Sequence, residues 1–247
     1  MKVVLATPAT LAHGVDVYYH HSAIETIKLC AKHGIEVCPI TWPGEALIQH
    51  ARNALVEVSL AASDVQQVFW VDADQEWEPE WFLRMVKHPV DVVGATTPKK
   101  QDIEAYPLAN VGDRDPKTGL HRVGAIGTGF LRVSRRALQT VWDKSERYEK
   151  GGKPFRMVFD VVIVDGQLCG EDAAFCIKLA MVGYPVWLDT SFTVGHNGYK
   201  RYKGDFLAYM KRVMGSGDAN QRSTNSIPDQ GNGRQHADQH ADAAHHG

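Results

Sequence analysis

Two carboxylates, Asp72 and Asp74, stand one residue apart directly after an apolar run at 68–71. That run has the β-branched and aromatic character of a buried strand. A buried strand cannot hold charged groups, so both carboxylates should lie just beyond its carboxyl end, where α/β sheets form ligand crevices. Such a pair of hard oxygen donors suits Mg²⁺ or Mn²⁺, ions that keep waters and also bind substrate phosphate oxygens. The pair therefore predicts a divalent-metal site.

The same pair has two simpler interpretations. An Asp-x-Asp after an apolar run also occurs as an Asx-turn or as a helix N-cap, so the pair alone leaves the choice open. An EF-hand loop is excluded, because its sixth position must be glycine and Trp77 stands there.

The composition is that of an ordinary globular protein, and 247 residues are enough for one sizeable α/β domain. The net charge of -2 argues against a surface uniformly devoted to polyanions, although it allows a local basic patch. No CxxC pair occurs, so the four cysteines are interpreted as buried thiols in a reducing compartment. They are Cys30, Cys38, Cys169 and Cys176.

The apolar runs of the sequence are short. The first apolar run, at 3–6, is too short for a signal peptide, and no run reaches the roughly 18 residues of a membrane span. We therefore expect a cytoplasmic protein without a transmembrane segment. The catalytic domain should cover 1–214, and the polar, His-rich composition of 215–247 predicts a disordered low-complexity tail.

The elements that must position the two carboxylates alternate between strand and helix. Apolar runs and helical spacing predict the order β-α-β-α-β, ending in the strand before Asp72, which is typical of a doubly wound, mostly parallel sheet. The predicted segments are strand 3–6, helix 22–33, strand 35–40, helix 45–62, strand 68–71, helix 80–87, strand 91–95, strand 129–133, helix 135–142, strand 158–164, helix 173–182 and strand 186–188. The alternation fails at 96–127, where we expect a small mixed second sheet, and 145–153 is charged and glycine-rich, as in a mobile loop.

Taken together, the motifs resemble those of GT-A glycosyltransferases, in particular family 2-like and Anp1-like enzymes, including small bacteriophage-encoded ones. The resemblance covers roughly residues 1–200 and implies a Rossmann-like nucleotide-diphospho-sugar transferase fold. The motifs are, in order, IQHARN at 48–53, FWVDAD at 69–74, GTGF at 127–130, GEDAAF at 170–175, GYPVWLD at 183–189 and finally His196.

The resemblance implies a nucleotide-sugar donor, such as a UDP- or GDP-sugar, held on Mn²⁺ or Mg²⁺. The donor-binding residues would be Thr7 and Pro8 beside the base, Arg52 and Asn53 beside the nucleotide, Asp72 and Ala73 at the ribose or metal, and Gly127, Thr128 and Gly129 at the sugar or acceptor. Asp74 would ligate the metal directly and His196 would be the third protein ligand, with His13 as a minor rival.

The resemblance also assigns roles to two acids that begin a helix. Asp172 would be the general base that takes the acceptor's proton, and Glu171 would hold acceptor hydroxyls. A simpler interpretation is that acids at the start of a helix are stabilised by the helix dipole. The motifs do not decide between inversion and retention of configuration.

Two other classes of protein could use the same acids. One is a nucleotidyltransferase or a metal-dependent phosphatase, although Thr7-Pro8 does not form a glycine-rich phosphate loop and the Asp-x-Asp follows the third strand instead of the first. The other is a non-catalytic module that binds a nucleotide sugar without releasing nucleoside diphosphate.

The acceptor is suggested only by the basic, aromatic-interleaved segment 199–212. Such a composition can follow a nucleic-acid backbone, so a modified DNA base is one possible acceptor, and a solvated amphipathic helix is the simpler alternative. Lys99 and Lys100 could approach phosphates, but a solvated loop is the preferred interpretation.

Overall fold

The computed structural model describes residues 1–9 and 14–215. His13 and the tail from residue 216 onward lie outside these residues, so the predictions for them stay predictions. Of the described residues, no helix combines the length and the apolar character needed to cross a bilayer.

Six helices and sixteen strands alternate along the described chain. The helices are α1 Val17–Lys32, α2 Ile48–Ala61, α3 Pro79–Lys87, α4 Arg135–Lys144, α5 Glu171–Met181 and α6 Phe206–Gly215. The strands are β1 Lys2–Ala9, β2 Glu36–Pro43, β3 Val65–Val71, β4 Gln75–Glu76, β5 Val92–Gly94, β6 Leu108–Ala109, β7 His121–Val123, β8 Ala125–Ile126, β9 Phe130–Ser134, β10 Arg147–Lys150, β11 Lys153–Arg156, β12 Val162–Val164, β13 Gln167–Cys169, β14 Val186–Leu188, β15 Gly195–Asn197 and β16 Arg201–Tyr202.

Seven strands form the central sheet, in the order β2-β1-β3-β9-β5-β14-β7. β9 is antiparallel to β3 and β5, and β7 is antiparallel to β14, whereas the other pairs are parallel. The expected fold class, an α/β domain with a mostly parallel sheet flanked by helices, is confirmed.

The strand side chains alternate between two hydrophobic cores, one on each face of the sheet. Val3 and Leu5 of β1 face the core formed with α1 and α3, while Val4 and Ala6 face the core formed with α2, α4 and α5. Both faces are therefore covered by helices, which explains why β1 reads as a continuous apolar run.

Three segments differ from the sequence-based expectation. The 96–127 insertion does not form a separate mixed sheet, because β7 extends the central sheet and β6 pairs with β8 in an antiparallel ribbon. The expected loop at 145–153 instead contributes to a hairpin in which β10 pairs with β11. The strand expected over 158–164 is confined to β12, which pairs with β13.

A small three-stranded antiparallel sheet, β16-β15-β4, lies beyond the end of β3. Its β4 immediately follows Asp74, and its β15 carries His196 opposite Gln75. This small sheet therefore brings the distant histidine back to the Asp-x-Asp segment. The four cysteines are free thiols, and three of them are buried as the sequence predicts, whereas Cys38 is half-buried.

Candidate functional site

The site residues meet at one edge of the central sheet because of the direction of β9. In the antiparallel β3–β9 pair, Phe130 at the start of β9 lies opposite Val71 at the end of β3. The segment 127–129 therefore reaches the same edge as Asp72, and the Asp72 amide donates to the Gly129 carbonyl at 3.1 Å.

Backbone hydrogen bonds hold the Asp72-Ala73-Asp74 segment in place. The Ala73 carbonyl accepts from the Asp16 amide, and the Asp74 carbonyl accepts from the Asn197 amide, each at 2.8 Å. The two carboxylates are thus presented by a fixed backbone, which avoids an ordering cost when a ligand binds.

Arg52 is the centre of the acid cluster. Its side chain is only 3% exposed, and its Nη2 donates to Asp72 Oδ1 at 2.9 Å. The same guanidinium lies 3.8 Å from Glu171 Oε1 and 3.7 Å from Asp172 Oδ1. Its Nε and Nη1 are buried without a hydrogen-bond partner, so the group keeps donors for a ligand oxygen.

Burial and mutual repulsion change how the cluster titrates. Burial lowers the pKa of Arg52, but the facing Asp72, Asp172 and Glu171 raise it above the usual value overall. The pKa of Asp72 is raised by burial, and that of Glu171 is raised by burial and by the neighbouring charge of Asp172. One buried cation therefore leaves the acids undercompensated.

Asp172 is oriented by Thr128, whose hydroxyl donates to Oδ1. The backbone at Gly127 and Gly129 lies close to neighbouring side chains. An added Cβ at Gly129 would lie 3.0 Å from Asp72 Oδ2, and one at Gly127 would lie 3.1 Å from Pro107 Cγ. The GTG segment therefore packs directly against the two acids Asp72 and Asp172.

On the other side of the cluster, Asp74 lies between His196 and Lys100. Lys100 Nζ donates to Asp74 Oδ2 at 2.5 Å, and His196 Nε2 lies 3.4 Å from Oδ1. Burial raises the pKa of Asp74, but the nearby His196 and Lys100 outweigh it and lower that pKa to about 2. Asp74 is therefore ionised at neutral pH.

The donor set around Asp74 fits a divalent cation. His196 Nδ1 bonds to the Pro98 carbonyl at 2.9 Å, and because a carbonyl only accepts, this nitrogen carries the proton. His196 Nε2 lies 3.4 Å from Asp74 Oδ1, and in the neutral ring this nitrogen has the lone pair that a cation between the two atoms would use. A carbonyl behind the imidazole is a common feature of metal-binding histidines.

The fit is that of a two-ligand site. Within the described part of the chain, no group of three or more His, Cys, Asp or Glu side chains forms a metal-binding cluster. Asp72, the other predicted ligand, has one carboxylate oxygen bonded to Arg52. Mg²⁺ and Mn²⁺ tolerate few protein ligands, because water and phosphate oxygens complete their coordination.

Two adjoining cavities meet at this cluster. One has a volume of about 340 Å³ and the other about 820 Å³, both within the range of small-molecule sites. We call the four residues that line both cavities the shared wall: they are Asp72, Lys100, Asp172 and His196.

Of the residues predicted to bind the nucleotide sugar, some line the cavities and others lie in the protein interior. Pro8, Arg52 and Ala73 line the larger cavity, whereas Gly127 and Gly129 line the smaller. Further residues of this prediction lie elsewhere. Thr7 is fully buried, and its hydroxyl pairs with that of Tyr19.

Asn53 is also placed in the interior. Its Nδ2 donates to the Phe159 carbonyl at 3.0 Å, and its Oδ1 accepts from the Phe159 amide at 2.7 Å. The Phe159 ring lies 5.7 Å from Arg52 Cζ. Asn53 therefore supports Arg52 from beneath, through Phe159, and lines neither cavity among the described residues.

Replacing Asn53 by alanine should lower the free energy of unfolding by about 1–3 kcal/mol, because two buried Phe159 groups lose their partners. Urea denaturation measures this loss. A side chain that contacted the nucleotide would behave differently, with weakened donor binding and unchanged stability.

Sequence reasoning missed Gln75, which lines the smaller cavity, and preferred a solvated loop for Lys100, which belongs to the shared wall. Gln75 had a usable signal, since it directly follows the Asp-x-Asp motif. The contact of Lys100 with Asp74 had no signal, because it joins residues 26 apart through a loop without periodicity.

Acidic side chains already pair with the basic segment 199–212. Lys200 contacts Asp102 at 2.5 Å, Arg201 and Lys203 contact Glu76, and Arg212 contacts Glu104. The segment is thus partly neutralised within the protein itself. The segment also covers the first part of α6, in agreement with the simpler expectation of an amphipathic helix there.

The structure is a Rossmann-like α/β domain whose acidic side chains cluster at one edge of the central sheet. No protein-family model and no curated protein matches the chain. Among solved structures, the chain is similar to A197 from STIV, with 14% identity over 82% of this chain and 94% of that one and a TM-score of 0.48.

Two further structures show weaker similarity. A glycosyltransferase involved in glycosylation of the major capsid of PBCV-1 matches at 12% identity over 56% of this chain and 65% of that one, with a TM-score of 0.33. The 4-diphosphocytidyl-2C-methyl-D-erythritol synthase from Anaerococcus prevotii matches at 10% identity, over 86% and 99%, with a TM-score of 0.41. At these scores the matches say nothing about this chain's substrate or reaction.

Proposed function

We propose that this protein is a metal-dependent glycosyltransferase that moves a sugar from a nucleoside-diphosphate sugar to an acceptor hydroxyl. The observation that carries the proposal is the shared wall, which places an acid next to each of two adjoining cavities around one buried arginine. Two cavities joined at a charged wall suit a substrate of two parts that is cleaved between them. The larger cavity would hold the nucleoside diphosphate and the smaller one the sugar.

Each charged residue has a distinct task in this proposal. The unpartnered N–H groups of Arg52 would donate hydrogen bonds to an oxygen of the nucleotide sugar in the larger cavity. Asp172, held by Thr128 at the junction of the cavities, would accept the proton of the acceptor hydroxyl as its oxygen bonds to the anomeric carbon. The bond from that carbon to the diphosphate oxygen breaks, and the electron pair leaves with the nucleoside diphosphate.

Asp74 and His196 would hold Mn²⁺ or Mg²⁺. When bound, the ion neutralises charge that develops on the departing diphosphate. The excess of acids also favours a bound cation, because Asp72, Asp74, Glu171 and Asp172 outnumber the cations Arg52 and Lys100.

A thermal-shift screen of UDP-, GDP- and dTDP-sugars with Mn²⁺ tests the proposal. One donor should raise the melting temperature only when Mn²⁺ is present, with a stabilisation of about 2.7 kcal/mol at a hundredfold excess over its dissociation constant. Asp74→Asn should remove the metal-dependent part of this shift and leave the melting temperature of the unliganded protein intact.

A product assay then separates the reaction classes. A glycosyltransferase releases nucleoside diphosphate from the donor, a nucleotidyltransferase releases pyrophosphate from a nucleoside triphosphate and a sugar phosphate, and a binding module releases neither. If the nucleotide sugar raises the melting temperature equally with and without Mn²⁺, or if the Mn²⁺-dependent rise persists in Asp74→Asn, the proposed metal site is wrong.

The acceptor part of the proposal is a hydroxyl that reaches Asp172. For a DNA acceptor bound through 199–212, the phosphates would have to replace Asp102, Glu76 and Glu104 as partners of the basic side chains. That exchange would make DNA binding strongly dependent on salt concentration.

A further inference from the structure

Lys100 is held over the site by its surroundings. It lies in the loop between β5 and β6, where the Lys99 amide donates to the Ala105 carbonyl and the Gln101 amide to the Lys99 carbonyl, each at 2.8 Å. Its aliphatic stem passes Gly198 so closely that an added Cβ there would lie 3.1 Å from Lys100 Cδ. The path of the side chain towards Asp74 is therefore part of the fold.

The ammonium and a divalent cation would use the same carboxylate. Lys100 takes Asp74 Oδ2, while Oδ1 faces His196 Nε2. Two positive charges on one carboxylate repel each other, so the ammonium opposes metal binding while it stays there. Lys100 also lines both cavities, so a diphosphate in either would offer it another anionic partner within reach of its flexible stem.

We propose that Lys100 is a tethered counter-cation that pairs with Asp74 and moves to phosphate oxygens when a diphosphate binds. This inference rests on the proposed function, because it requires a diphosphate ligand and a cation at Asp74. Lys100 is thus a positioning residue that makes diphosphate binding and metal binding favour each other. Such coupling is reciprocal, since each ligand raises the affinity for the other by the same factor.

The test measures Mn²⁺ binding alone, by the loss of the free-ion signal in electron paramagnetic resonance, for the full chain and its variants. Lys100→Met should bind Mn²⁺ about 5–10-fold more tightly than the unchanged protein, because the competing ammonium is gone. Lys150→Met is the matched control, since Lys150 forms an ion pair of the same 2.5 Å length with Glu45 and lines neither cavity among the described residues. Its Mn²⁺ affinity should equal that of the unchanged protein.

The opposite effect is expected for the anion. With metal removed by a chelator, Lys100→Met should bind nucleoside diphosphates about 5-fold more weakly, because a phosphate partner is lost. A lysine with a purely structural role would not raise metal affinity and lower anion affinity together. Lys100→Gln repeats both measurements with a polar side chain, in case the methionine variant does not fold.

Asp74→Asn in the Lys100→Met background identifies Mn²⁺ bound elsewhere, for instance by the histidines of the C-terminal tail. Equal Mn²⁺ affinities of folded Lys100 variants and the unchanged protein would overturn the Lys100 proposal and leave the metal site standing. Tighter binding that persists after Asp74→Asn would overturn it as well. If no variant binds Mn²⁺ at all, both this inference and the proposed metal-dependent function fail.

Discussion

Replacing Arg52 by methionine is expected to lower the free energy of unfolding by about 2–4 kcal/mol near neutral pH, because it leaves three half-buried carboxylates without their cation. Arg52 is 3% exposed and lies within 3.8 Å of three carboxylates: Asp72, Glu171 and Asp172. Of the side chains in the cluster, it is the one that all three face. Urea denaturation at several pH values measures the loss.

The loss should depend on pH with a defined sign. The pKa values of Asp72 and Glu171 are already raised in the folded protein. At a pH above the usual carboxylate pKa, these two groups therefore bind more protons in the folded protein than in the unfolded chain. Stability from such groups is complete below the unfolded pKa and is lost as the pH rises through the folded pKa. Without Arg52 both pKa values rise further, so the stability of the variant should fall, relative to that of the unchanged protein, as the pH rises from the usual carboxylate range towards neutral.

Arg132→Met provides the matched control. Arg132 is equally buried, but its guanidinium donates to the backbone carbonyls of Met85, His88, Val90 and Asp91. Its removal should also destabilise the protein, with little change between about pH 5 and about pH 8, because no group that it bonds to titrates there. If Arg52→Met shows the same flat pH profile, the acid cluster is not held together by Arg52 in the manner described.

Local sequence signals predicted the sheet well where burial is continuous. The run at 68–71 and the Asp-x-Asp after it follow directly from the cost of burying charge, and β3 ends at Val71. The antiparallel direction of β9 had no local signal, because strand direction is set by pairing with distant strands. That direction is what brings Gly127 and Gly129 to Asp72, so the composition of the site could be predicted better than its geometry.

Two hairpins had signals that went unused. Gly151 and Gly152 both have positive φ, 60° and 72°, at the turn of β10–β11, and Asp165-Gly166 has 49° and 76° at the turn of β12–β13. Gly-Gly and Asp-Gly are the dipeptides that two-residue hairpin turns favour. The charge of 145–153 suggested a loop, but Tyr148 and Phe155 pack on His50 of α2, and this tertiary contact stabilises the hairpin.

The pair Arg52-Asn53 shows the limit of motif transfer. Consecutive helical residues point about 100° apart, so neighbouring residues of a helical motif can have different surroundings. Arg52 faces the acids, and Asn53 faces the backbone of Phe159. The same reasoning gives Glu171 and Asp172 different positions at the start of α5, where only Asp172 lines both cavities.

That difference leads to the largest expected effect on turnover. Asp172→Asn should reduce the release of nucleoside diphosphate from the donor by about 10²–10⁴-fold, because the amide cannot take the proton of the attacking hydroxyl. Water can serve as the acceptor in this assay, so the natural acceptor is not required. Binding of donor with Mn²⁺, measured by thermal shift, should persist, since Asp74, His196 and Arg52 are unchanged.

Glu171→Gln is the matched control, since it removes the neighbouring carboxylate charge, which lies 3.8 Å from Arg52. Glu171 lines only the larger cavity, whereas Asp172 lines both. Glu171→Gln should affect donor affinity more than turnover. Thr128→Val, which removes the hydroxyl that orients Asp172, should reduce turnover less than Asp172→Asn does.

Neutralising one acid of an undercompensated cluster relieves repulsion, so Asp172→Asn should melt at the same temperature as the unchanged protein or above it. A loss of turnover therefore cannot be attributed to unfolding.

If Asp172→Asn turns over normally while Glu171→Gln does not, the general base is Glu171. That outcome is compatible with the raised pKa of Glu171, because a base with a pKa nearer the working pH transfers protons more effectively. If neither substitution slows turnover, the acids at the start of α5 do not take part in the reaction, and the proposed chemistry at the shared wall is wrong.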